Sequence, residues 1–319
     1  MATTLTLHAS LGAGRPRAAA AVHFPSTEFG GGPPGLTRDT RKMVVVIGNP
    51  AAGASGRSVI RSAAAYLRRY VRRVEVGITR ARGDAETLCR EAVRAGAGMV
   101  VAAGGDGTIN EVVNGLGSSG VTLGVIPLGT ANVLAHETGI PTDPERACRL
   151  LLSGRPRAVH LGMAGARHFV LMAGAGFDAM VIYCITESLK KRPGKSAHIA
   201  AGLRSLIWAR APILTVTAPG MLPMTGTGIV VRKGRLEPRL EVRLFKGRGR
   251  IDWAGYAWGV LRGRHSLYDG VTLFETDRIQ VTSEEKVHVH GDGDLFGTLP
   301  VNFSVAPYTL NVVLPEVRR

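Results

Sequence analysis

The sequence predicts a two-domain α/β protein, in which a parallel sheet covered by helices is followed by an antiparallel β-rich domain. Up to about residue 161, short apolar runs alternate with helical patterns, which is typical of a parallel sheet with helices on both faces. Beyond that point, short strand-like runs are separated by turn residues, as expected of antiparallel strands. With 319 residues, 45% of them apolar, the chain is long enough to bury two cores.

Hydrophobic periodicity assigns the elements of the first domain in order. The predicted strands are Met43–Gly48, Val74–Thr79, Ala97–Gly105 and Val121–Pro127. The predicted helices are Arg57–Tyr70, Asp84–Ala95, Thr108–Leu116 and one that starts near Ala131. Ligands of such sheets bind outside the carboxyl ends of the strands. All the glycine-rich loops of this domain fall at those ends.

The second domain is predicted from seven strand-like runs and two helical stretches. The runs are HFVLMAG, ILTVTAP, TGTGIVVRK, LEVRLF, VTLFET, RIQVTS and KVHVHG, and the helices are near Phe177–Lys190 and Ala197–Trp208. The predicted domains are a disordered basic arm (1–41), an α/β domain (42–161), a β-rich domain (162–305) and a C-terminal strand or tail (306–319) that could return to the first domain.

Residues 1–41 have few acids and a GGGPPG run, a composition that cannot bury a core. The arm is rich in arginine, like a transit peptide, but it has no apolar segment of the secretory kind. Met43, directly before the first strand, could also be the start of translation.

The charge and the cysteines limit the partners and the compartment. Forty Lys and Arg against 24 Asp and Glu give a net charge of +16, which favours polyanions such as anionic lipid or phosphorylated ligands, although a basic proteome background would explain it too. Cys89, Cys148 and Cys184 include no CxxC pair, so neither a disulfide framework nor a zinc site is indicated, and a reducing cytosol fits. No apolar run is long enough to span a bilayer. Membrane contact would therefore be peripheral.

The run GGDGT, between the third strand and the next helix, is suited to holding a phosphate. Gly104 and Gly105 allow the backbone to approach phosphate oxygens, and the helix amino terminus attracts anions. Asp106 could hold magnesium or its water, and Thr108 could cap the helix and donate to phosphate. Taken alone, the same run fits a structural turn equally well.

Two further loops strengthen the phosphate interpretation. NPAAG, Asn49–Gly53, follows the first strand, and PLGTAN, Pro127–Asn132, follows the fourth. Both combine small residues with a side-chain amide at the carboxyl end of a strand. The pattern GxGxxG does not occur at the end of any predicted strand and GxxxxGK[ST] is absent, so neither the usual dinucleotide fold nor a P-loop is indicated.

Together, NPAAG, GGDGTINEVVNGL, PLGTANVLA and GDGDLFGTLP resemble the diacylglycerol kinase catalytic-domain family, which includes bacterial lipid kinases and sphingosine kinases. The resemblance covers about Met43–Pro315 in motif order. It implies an atypical Rossmann-like α/β domain of the phosphofructokinase and NAD kinase kind, followed by an antiparallel β-sandwich. It also implies ATP-dependent phosphoryl transfer to a lipid hydroxyl, with the nucleotide in the cleft between the domains. The α/β domain (42–161) would accordingly bind the nucleotide, and the β-rich domain (162–305) would bind the lipid substrate.

Carried over by position, the resemblance assigns the nucleotide contacts to the strand-end loops. These residues are Asn49, Pro50, Gly53, Thr79, Gly104, Gly105, Asp106, Gly107, Thr108, Asn110, Glu111, Gly129, Thr130 and Asn132. Asp106 would also serve Mg²⁺. The family's proton acceptor ends a late Asp-Gly-Glu motif, which here ends in Asp294, one methylene shorter. Asp292 is the second candidate for the catalytic carboxylate.

Two departures from the family pattern concern the metal. Many members carry Asp after GTAN, where this chain has Val133, which removes part of the expected magnesium-water network. The acidic metal loop of several bacterial members has no counterpart in VRLFKGRGRIDW, where Asp252 is the only acid. No auxiliary metal site is predicted.

Other patterns have both a functional and a structural interpretation. His288 and His290 would share one face of a strand and could ligate a metal, but ordinary strand positions explain them more simply, and Asp292 and Asp294 could form a bare turn. The basic, amphipathic stretch Lys190–Arg210 could rest on anionic lipid or pack into the second domain. The aromatic cluster Trp253, Tyr256 and Trp258 could line a lipid entrance or belong to a core.

The sequence therefore favours a cytoplasmic, peripherally membrane-associated lipid kinase that uses Mg-ATP. An NAD kinase is the alternative of the same class, because that class also uses GGDGT. A catalytically inactive nucleotide sensor or membrane-binding module is the third hypothesis, motivated by Val133 and the shorter Asp294. Nucleic-acid binding is disfavoured because no reading motif is present. A homodimer is compatible with the sequence, which does not fix the identity of the lipid.

Overall fold

The computed structural model describes residues 43–53, 56–176, 212–234, 238–247 and 270–316. The chain divides into two compact units, of which unit 1 comprises Met1–Val159 with Tyr308–Arg319, and unit 2 comprises His160–Pro307. The predicted arm, both predicted helices between Phe177 and Trp208, the aromatic cluster and Cys184 lie outside the described residues.

Unit 1 is built on a parallel sheet, which confirms the predicted class of the first domain. Its strands are β1 (Met43–Gly48), β2 (Arg73–Ile78), β3 (Ala97–Gly104), β4 (Thr122–Pro127) and the last residues of the long C-terminal strand β16 (Val301–Leu314). They run in the order β2-β1-β3-β4-β16, and every pairing in this series is parallel. The chain end joins this sheet where Val312 pairs with Leu123.

The described part of unit 1 contains five helices. They are α1 (Gly56–Leu67), α2 (Asp84–Arg94), α3 (Asp106–Leu116), α4 (Val133–Thr138) and α5 (Pro144–Ser153). In α1 the buried positions include Val59, Ile60, Ala63 and Leu67, a spacing that forms a single apolar face. Every residue of β1 and β3 is buried, as expected of central parallel strands covered on both faces.

The start of α3 differs from the prediction. The helix begins at Asp106, two positions before the predicted Thr108, and its N-cap is Gly105 in an extended conformation without a side-chain cap. The predicted cap at Thr108 is therefore wrong. Thr108 instead packs in the first turn over Gly104, where an added Cβ would lie 2.5 Å from the Thr108 hydroxyl oxygen.

Other element boundaries shift for local reasons. Helix α1 ends at Leu67, short of the predicted Tyr70, because residues 69 and 70 bond to carbonyls only three positions back, a tightening common at helix ends. Helix α4 starts at Val133, after Asn132 in a left-handed conformation. Helix α5 was not predicted, although its signals are present: Asp143 caps it by accepting from the Arg146 amide, and Pro144 occupies its first turn.

Unit 2 is antiparallel, which confirms the predicted class of the second domain. Its strands are β5 (Arg155–Ala164), β6 (Arg167–Phe169), β7 (Met172–Gly176), β8 (Leu214–Thr217), β9 (Met224–Gly226), β10 (Gly228–Lys233), β11 (Leu240–Phe245), β12 (Val271–Thr276), β13 (Arg278–Thr282), β14 (His288–Gly291), β15 (Asp294–Thr298) and the first part of β16. Strand β5 begins in unit 1 and was not predicted.

The strands of unit 2 form two sheets. One has the order β12-β11-β10-β7-β14-β15, and the other contains β16, β13, β8 and β9, with β6 joined through β5. Fully buried side chains from both sheets, among them Phe169, Leu214, Ile229, Leu240 and Phe303, fill one core. This is the packing of a β-sandwich.

The predicted strand HFVLMAG is interrupted between β6 and β7. The backbone amides of Val170, Leu171 and Met172 donate to the carboxylate of Asp292, at 2.6, 2.9 and 3.1 Å respectively. Val170 and Leu171 therefore lie between the two strands, and β7 begins at Met172. The interruption follows from a contact across 122 residues of sequence, which local periodicity does not contain.

Candidate functional site: strand-end loops and a hairpin carboxylate

The loop after β1 folds against β3 and the loop after β4. The Asn49 amide donates to the Ala103 carbonyl at 3.0 Å, and the Asn49 side-chain oxygen accepts from the Ala51 amide at 2.9 Å. Gly53 has a positive φ of 69°, and an added Cβ would lie 3.1 Å from the Leu128 carbonyl oxygen. The small residues of NPAAG therefore allow two main-chain segments to approach each other closely.

The loops after β3 and β4 meet backbone to backbone. An added Cβ on Gly129 would lie 2.6 Å from the Gly105 Cα, and one on Gly105 would lie 3.2 Å from the Gly129 Cα. The Leu128 amide also donates to the Gly104 carbonyl at 2.8 Å. A side chain at position 129 would therefore force the two loops apart, whereas one at position 105 would be tight but nearer to an ordinary contact distance.

The buried side chain of Asn132 fixes the shape of the loop after β4. Its oxygen accepts from the Gly129 amide and its nitrogen donates to the Gly129 carbonyl, both at 2.9 Å. Asn132 itself has a φ of 45°, which asparagine tolerates better than most residues. Thr130, between these two residues, is exposed. The Asn132 amide is thus fully engaged by its own loop.

The loop after β2 is anchored at both of its ends. The Thr79 amide donates to the Gly48 carbonyl at 3.0 Å. The Asp84 carboxylate accepts from the amides of Arg80 and Ala81, at 2.7 and 2.9 Å, and these two bonds hold the pKa of Asp84 below its usual value. Asp84 was missed as a site-shaping residue. An acid that opens a helix directly after a strand-end loop is the signal for it.

Asp106 lies within the GGDGT run and is the first residue of α3. Its oxygen accepts from the Leu134 amide of α4 at 3.4 Å, a long distance for an N–H···O bond. Among the described residues, no group of three or more His, Cys, Asp or Glu side chains could hold a metal ion. Mg²⁺, however, is commonly held by one or two carboxylates together with substrate phosphates. The single Asp106 carboxylate fits that mode of binding.

Two of the residues predicted to contact the nucleotide, Asn110 and Glu111, make hydrogen bonds within and between helices. The Glu111 carboxylate accepts from the Gly83 and Ala85 amides, at 2.9 and 3.0 Å, and so caps the start of α2. Asn110 is only 1% exposed. Its backbone carbonyl oxygen and its side-chain oxygen both accept from the side-chain nitrogen of Asn114. Glu111 thus joins α3 to α2, and Asn110 is hydrogen-bonded within α3.

In unit 2, the GDGD motif forms a hairpin turn between β14 and β15. Asp292 and Gly293 are its two central residues, with φ of 50° and 83°, as in a type I′ turn, for which Asp-Gly is a preferred sequence. The next residue, Asp294, opens β15, pairs with Gly291 and is half-buried. Because the Asp292 carboxylate binds the amides of residues 170–172, the turn that presents Asp294 is fixed to the adjoining strands.

His288 and His290 lie in β14, with ring centroids 6.5 Å apart. His288 is exposed and His290 is buried, and neither belongs to a group of metal-ligand type among the described residues. None of the described helices is long and apolar enough to cross a membrane.

The site residues thus fall into two sets. Within unit 1 the structure brings together the NPAAG, GGDGT and PLGTAN loops with Thr79, at the carboxyl ends of adjacent parallel strands. Within unit 2 it brings Asp292 and Asp294 into one hairpin. Backbone amides, glycine approaches and the amino terminus of α3 make the first set suited to phosphate oxygens. The second set offers a carboxylate suited to accepting a proton.

Comparison with known proteins agrees with this geometry. The diacylglycerol kinase catalytic domain matches residues 43–164, and the YegS C-terminal NAD kinase beta sandwich-like domain matches residues 238–314. A diacylglycerol kinase of Bacillus subtilis is 30% identical over 252 residues, which cover 73% of this chain and 83% of that protein. A Pseudomonas putida protein named "Probable lipid kinase YegS-like" is 36% identical over 270 residues, with 80% and 90% coverage.

A solved structure described as a diacylglycerol kinase from Bacillus anthracis has the same fold, with a TM-score of 0.67 at 20% identity over 86% of this chain and 97% of that one. The relatives match across both units, and the family domain spans all the strand-end loops described above. The chain therefore belongs to the diacylglycerol kinase catalytic-domain family of lipid kinases.

Proposed function

We propose that this enzyme transfers the γ-phosphoryl group of ATP to the hydroxyl of a lipid alcohol, either diacylglycerol or a sphingoid-like lipid. The observation that supports this most strongly is the backbone contact between Gly105 and Gly129. It joins two strand-end loops into one main-chain surface, next to the amino terminus of α3. A chain of phosphates is the ligand that such a surface accommodates best.

The phosphates would be held mainly by the main chain. The N-cap of α3 is Gly105, which has no side chain to occupy the first amides of the helix. Those amides and the helix dipole can therefore face the ligand directly. Asn49, Pro50, Gly53, Gly107, Thr108 and Thr130 are proposed to complete the contacts, whereas Asn132 supports the loop through Gly129.

Asp106 is proposed to hold Mg²⁺ together with the phosphate oxygens. When bound, the ion neutralises negative charge on the transferred group and the leaving group. The family pattern that the sequence resembles has an aspartate after GTAN, where this chain has Val133, so we propose that Asp106 alone supplies the carboxylate. We propose no further metal ligand from the described residues.

Asp294 is proposed to accept the proton of the lipid hydroxyl as that oxygen attacks the γ-phosphorus. Asp292 is a poorer candidate for the proton, because its two oxygens already accept three backbone hydrogen bonds, which favour the charged form and leave little room for a substrate. We propose that Asp292 orients the hairpin and that Asp294 performs the chemistry.

Diacylglycerol is the first candidate substrate because the Bacillus subtilis relative is named diacylglycerol kinase. A lipid acceptor also gives the net charge of +16 a role in peripheral attraction to anionic membranes. We propose that the enzyme works in the cytoplasm at the membrane surface. The described cysteines, Cys89 and Cys148, are free thiols, as in a reducing compartment.

The decisive experiment incubates the purified full chain with γ-labelled ATP, Mg²⁺ and mixed micelles that contain diacylglycerol, sphingosine or phosphatidylglycerol. A parallel reaction contains NAD in place of lipid. Labelled lipid supports the proposal, and the micelle that gives it identifies the acceptor. Labelled NADP would instead support an NAD kinase, and ATP binding without either product would support an inactive nucleotide sensor.

Two variants show whether the activity belongs to the proposed site. Asp294→Asn removes the proton acceptor with little change of shape and should abolish turnover while ATP affinity stays nearly intact. Glu284→Gln, an equivalent change at an exposed position of unit 2, is the matched control and should leave turnover unchanged. Substantial activity in Asp294→Asn would refute the assignment of the base.

A further inference from the structure

The hairpin between β8 and β9 ends in an exposed apolar tip with the sequence APGMLP, residues 218–223. Leu222 is 86% exposed and Met221 is 39% exposed, and Ile213, at the base of the hairpin, is 49% exposed. They are three of the five exposed large apolar side chains among the described residues. Their grouping on one hairpin marks an interaction surface.

The tip has a defined backbone conformation. The Met221 amide donates to the Ala218 carbonyl at 3.2 Å, which closes a four-residue turn with Pro219 and Gly220 at its centre. Gly220 has a φ of 70°, as required at the third position of a type II turn, in which proline is favoured at the second. The tip therefore loses little conformational entropy when it docks.

The base of the hairpin is fixed to the core of unit 2. Strand β8 pairs with β13, and its inward side chains Leu214 and Val216 are fully buried. The Ser283 hydroxyl also donates to the Ile213 carbonyl at 2.8 Å. The exposed leucine and methionine thus stand on a rigid support, as an inserting wedge requires.

The hairpin itself carries no charge, and both cations and acids flank it. Residues 212–231 contain no charged side chain. Strand β13, which pairs with β8, is preceded by Asp277 and begins with Arg278, and Glu284, Glu285 and Lys286 follow Ser283, which contacts Ile213. A cavity of about 350 Å³ opens beside the hairpin, and its described lining consists of Ile213, Pro223, Met224, Thr225, Gly226, Thr227 and Lys246. Lys246 supplies an exposed cation at this cavity.

We propose that the 218–223 tip inserts into the interface of a bilayer that contains anionic phospholipid, with Lys246 at the level of the headgroups. Thr227, beside Lys246 in the cavity lining, follows Leu222 by five residues, at most roughly 17 Å of extended chain. An interfacial element enters about 5–10 Å into the headgroup and acyl boundary, which leaves the lysine near the lipid phosphates. The inference rests on the proposed function, because a membrane lipid as substrate brings the enzyme to such a surface.

The size of the apolar group favours a bilayer over a protein partner. Stable protein interfaces bury about 800 Å² on each partner, far more than two or three side chains provide. A bilayer can accept a single leucine and methionine without any complementary surface.

A positional probe tests the inference independently of catalysis. An environment-sensitive fluorophore is attached to Leu222→Cys in a Cys184→Ser background, without ATP. The buried Cys89 and Cys148 should not compete for the label, since burial raises the pKa of both thiols to about 12. The matched control carries the label at Ser118→Cys, an exposed position of unit 1. Vesicles contain phosphatidylcholine with or without phosphatidylglycerol, and pelleting measures total binding.

We expect the label at position 222, and not at 118, to shift to shorter wavelength with vesicles that contain phosphatidylglycerol. Leu222→Asp should weaken vesicle pelleting by about tenfold or more, the factor that burial of one leucine side chain carries, with unchanged thermal unfolding. A label at 222 that stays in water while the protein pellets with vesicles would overturn the inference, as would an absence of pelleting. So would a shift that depends on protein concentration alone, which would reveal contact with a second copy.

The result that would refute the proposed function is distinct from the result that would refute the docking surface. If no lipid is phosphorylated, the proposed function is refuted, but a label at position 222 that enters vesicles still supports the docking surface. Conversely, a wild-type chain that phosphorylates micellar lipid while its tip stays in water retains the function and loses the inference.

Discussion

Gly129 lies so close to Gly105 that a Cβ on Gly129 would be 2.6 Å from the Gly105 Cα. The two residues follow different strands, β4 and β3, that are neighbours in the parallel sheet. The atom in the way is main chain, which cannot rotate aside as a flexible side chain would. This contact fixes the distance between two loops that we propose to bind one triphosphate.

Gly129→Ala should therefore separate the two loops. Overpacking of this kind costs about 1–3 kcal/mol of unfolding free energy. A displacement of about 1 Å at a reacting group can lower turnover by about 10²-fold, and we expect a loss of that order with weakened ATP binding, measured by titration and steady-state kinetics.

Gly270→Ala is the control for this prediction. Among the described residues, its added Cβ would meet only the Gly247 nitrogen, at an ordinary 3.8 Å, so stability and turnover should both stay unchanged. Wild-type turnover in Gly129→Ala would show that the Gly105–Gly129 contact does not shape the active site.

Asp292→Asn should lower stability, whereas Asp294→Asn should lower turnover. In Asp292→Asn, the new NH₂ group would face backbone amides that now donate to a carboxylate. Hydrogen bonds to charged groups contribute about 1.5–3 kcal/mol, so we expect a loss of that size in unfolding free energy, measured by urea denaturation. Asp294→Asn should keep its stability and lose turnover. Equal stabilities of the two variants would contradict the anchoring role of Asp292.

Glu111→Ala tests whether Glu111 serves the nucleotide or the start of α2. Loss of a cap that accepts the Gly83 and Ala85 amides should lower the unfolding free energy by about 1 kcal/mol. Glu91→Ala, on the same helix α2, is the control and should lower the unfolding free energy by less. A large loss of ATP affinity at unchanged stability would favour the direct nucleotide contact that the family resemblance implies.

The cysteines predict how stability depends on alkaline pH. Burial raises the pKa of the Cys89 and Cys148 thiols from 9.0 to about 12, so between these values the unfolded chain releases protons that the folded chain keeps. The contribution of these thiols to the free energy of unfolding should be fully present below about pH 9 and should be lost as the pH rises towards 12. Cys89→Ala with Cys148→Ala should flatten this fall, as measured by denaturation at several pH values.

Alkylation gives a second measurement of the same property. Both thiols should be resistant in the native protein and reactive in denaturant, as followed by peptide mass spectrometry. Rapid native alkylation of either cysteine would contradict its burial.

Much of unit 1 could be predicted because its signals are local. Apolar runs end in glycine-rich loops, so the strands and the loops of the site were placed within a few residues. The start of α3 was placed late because Gly105 caps it without a polar side chain, which removes the usual signal. Helix α5 was not predicted, although its start carries two local signals, the cap Asp143 and Pro144 in the first turn.

The sequence alone determined the family, the order of parallel and antiparallel regions, and the glycine motifs, since these depend on residue type and local spacing. Tertiary structure decided which main-chain segments contact each other and which hydrogen-bond partners each polar side chain has. Glu111 became a cap for α2, and Asp292 became an anchor for residues 170–172. The physical reason is that hydrogen bonds and close approaches depend on distance in space, and a contact across 122 residues leaves no local pattern in the chain.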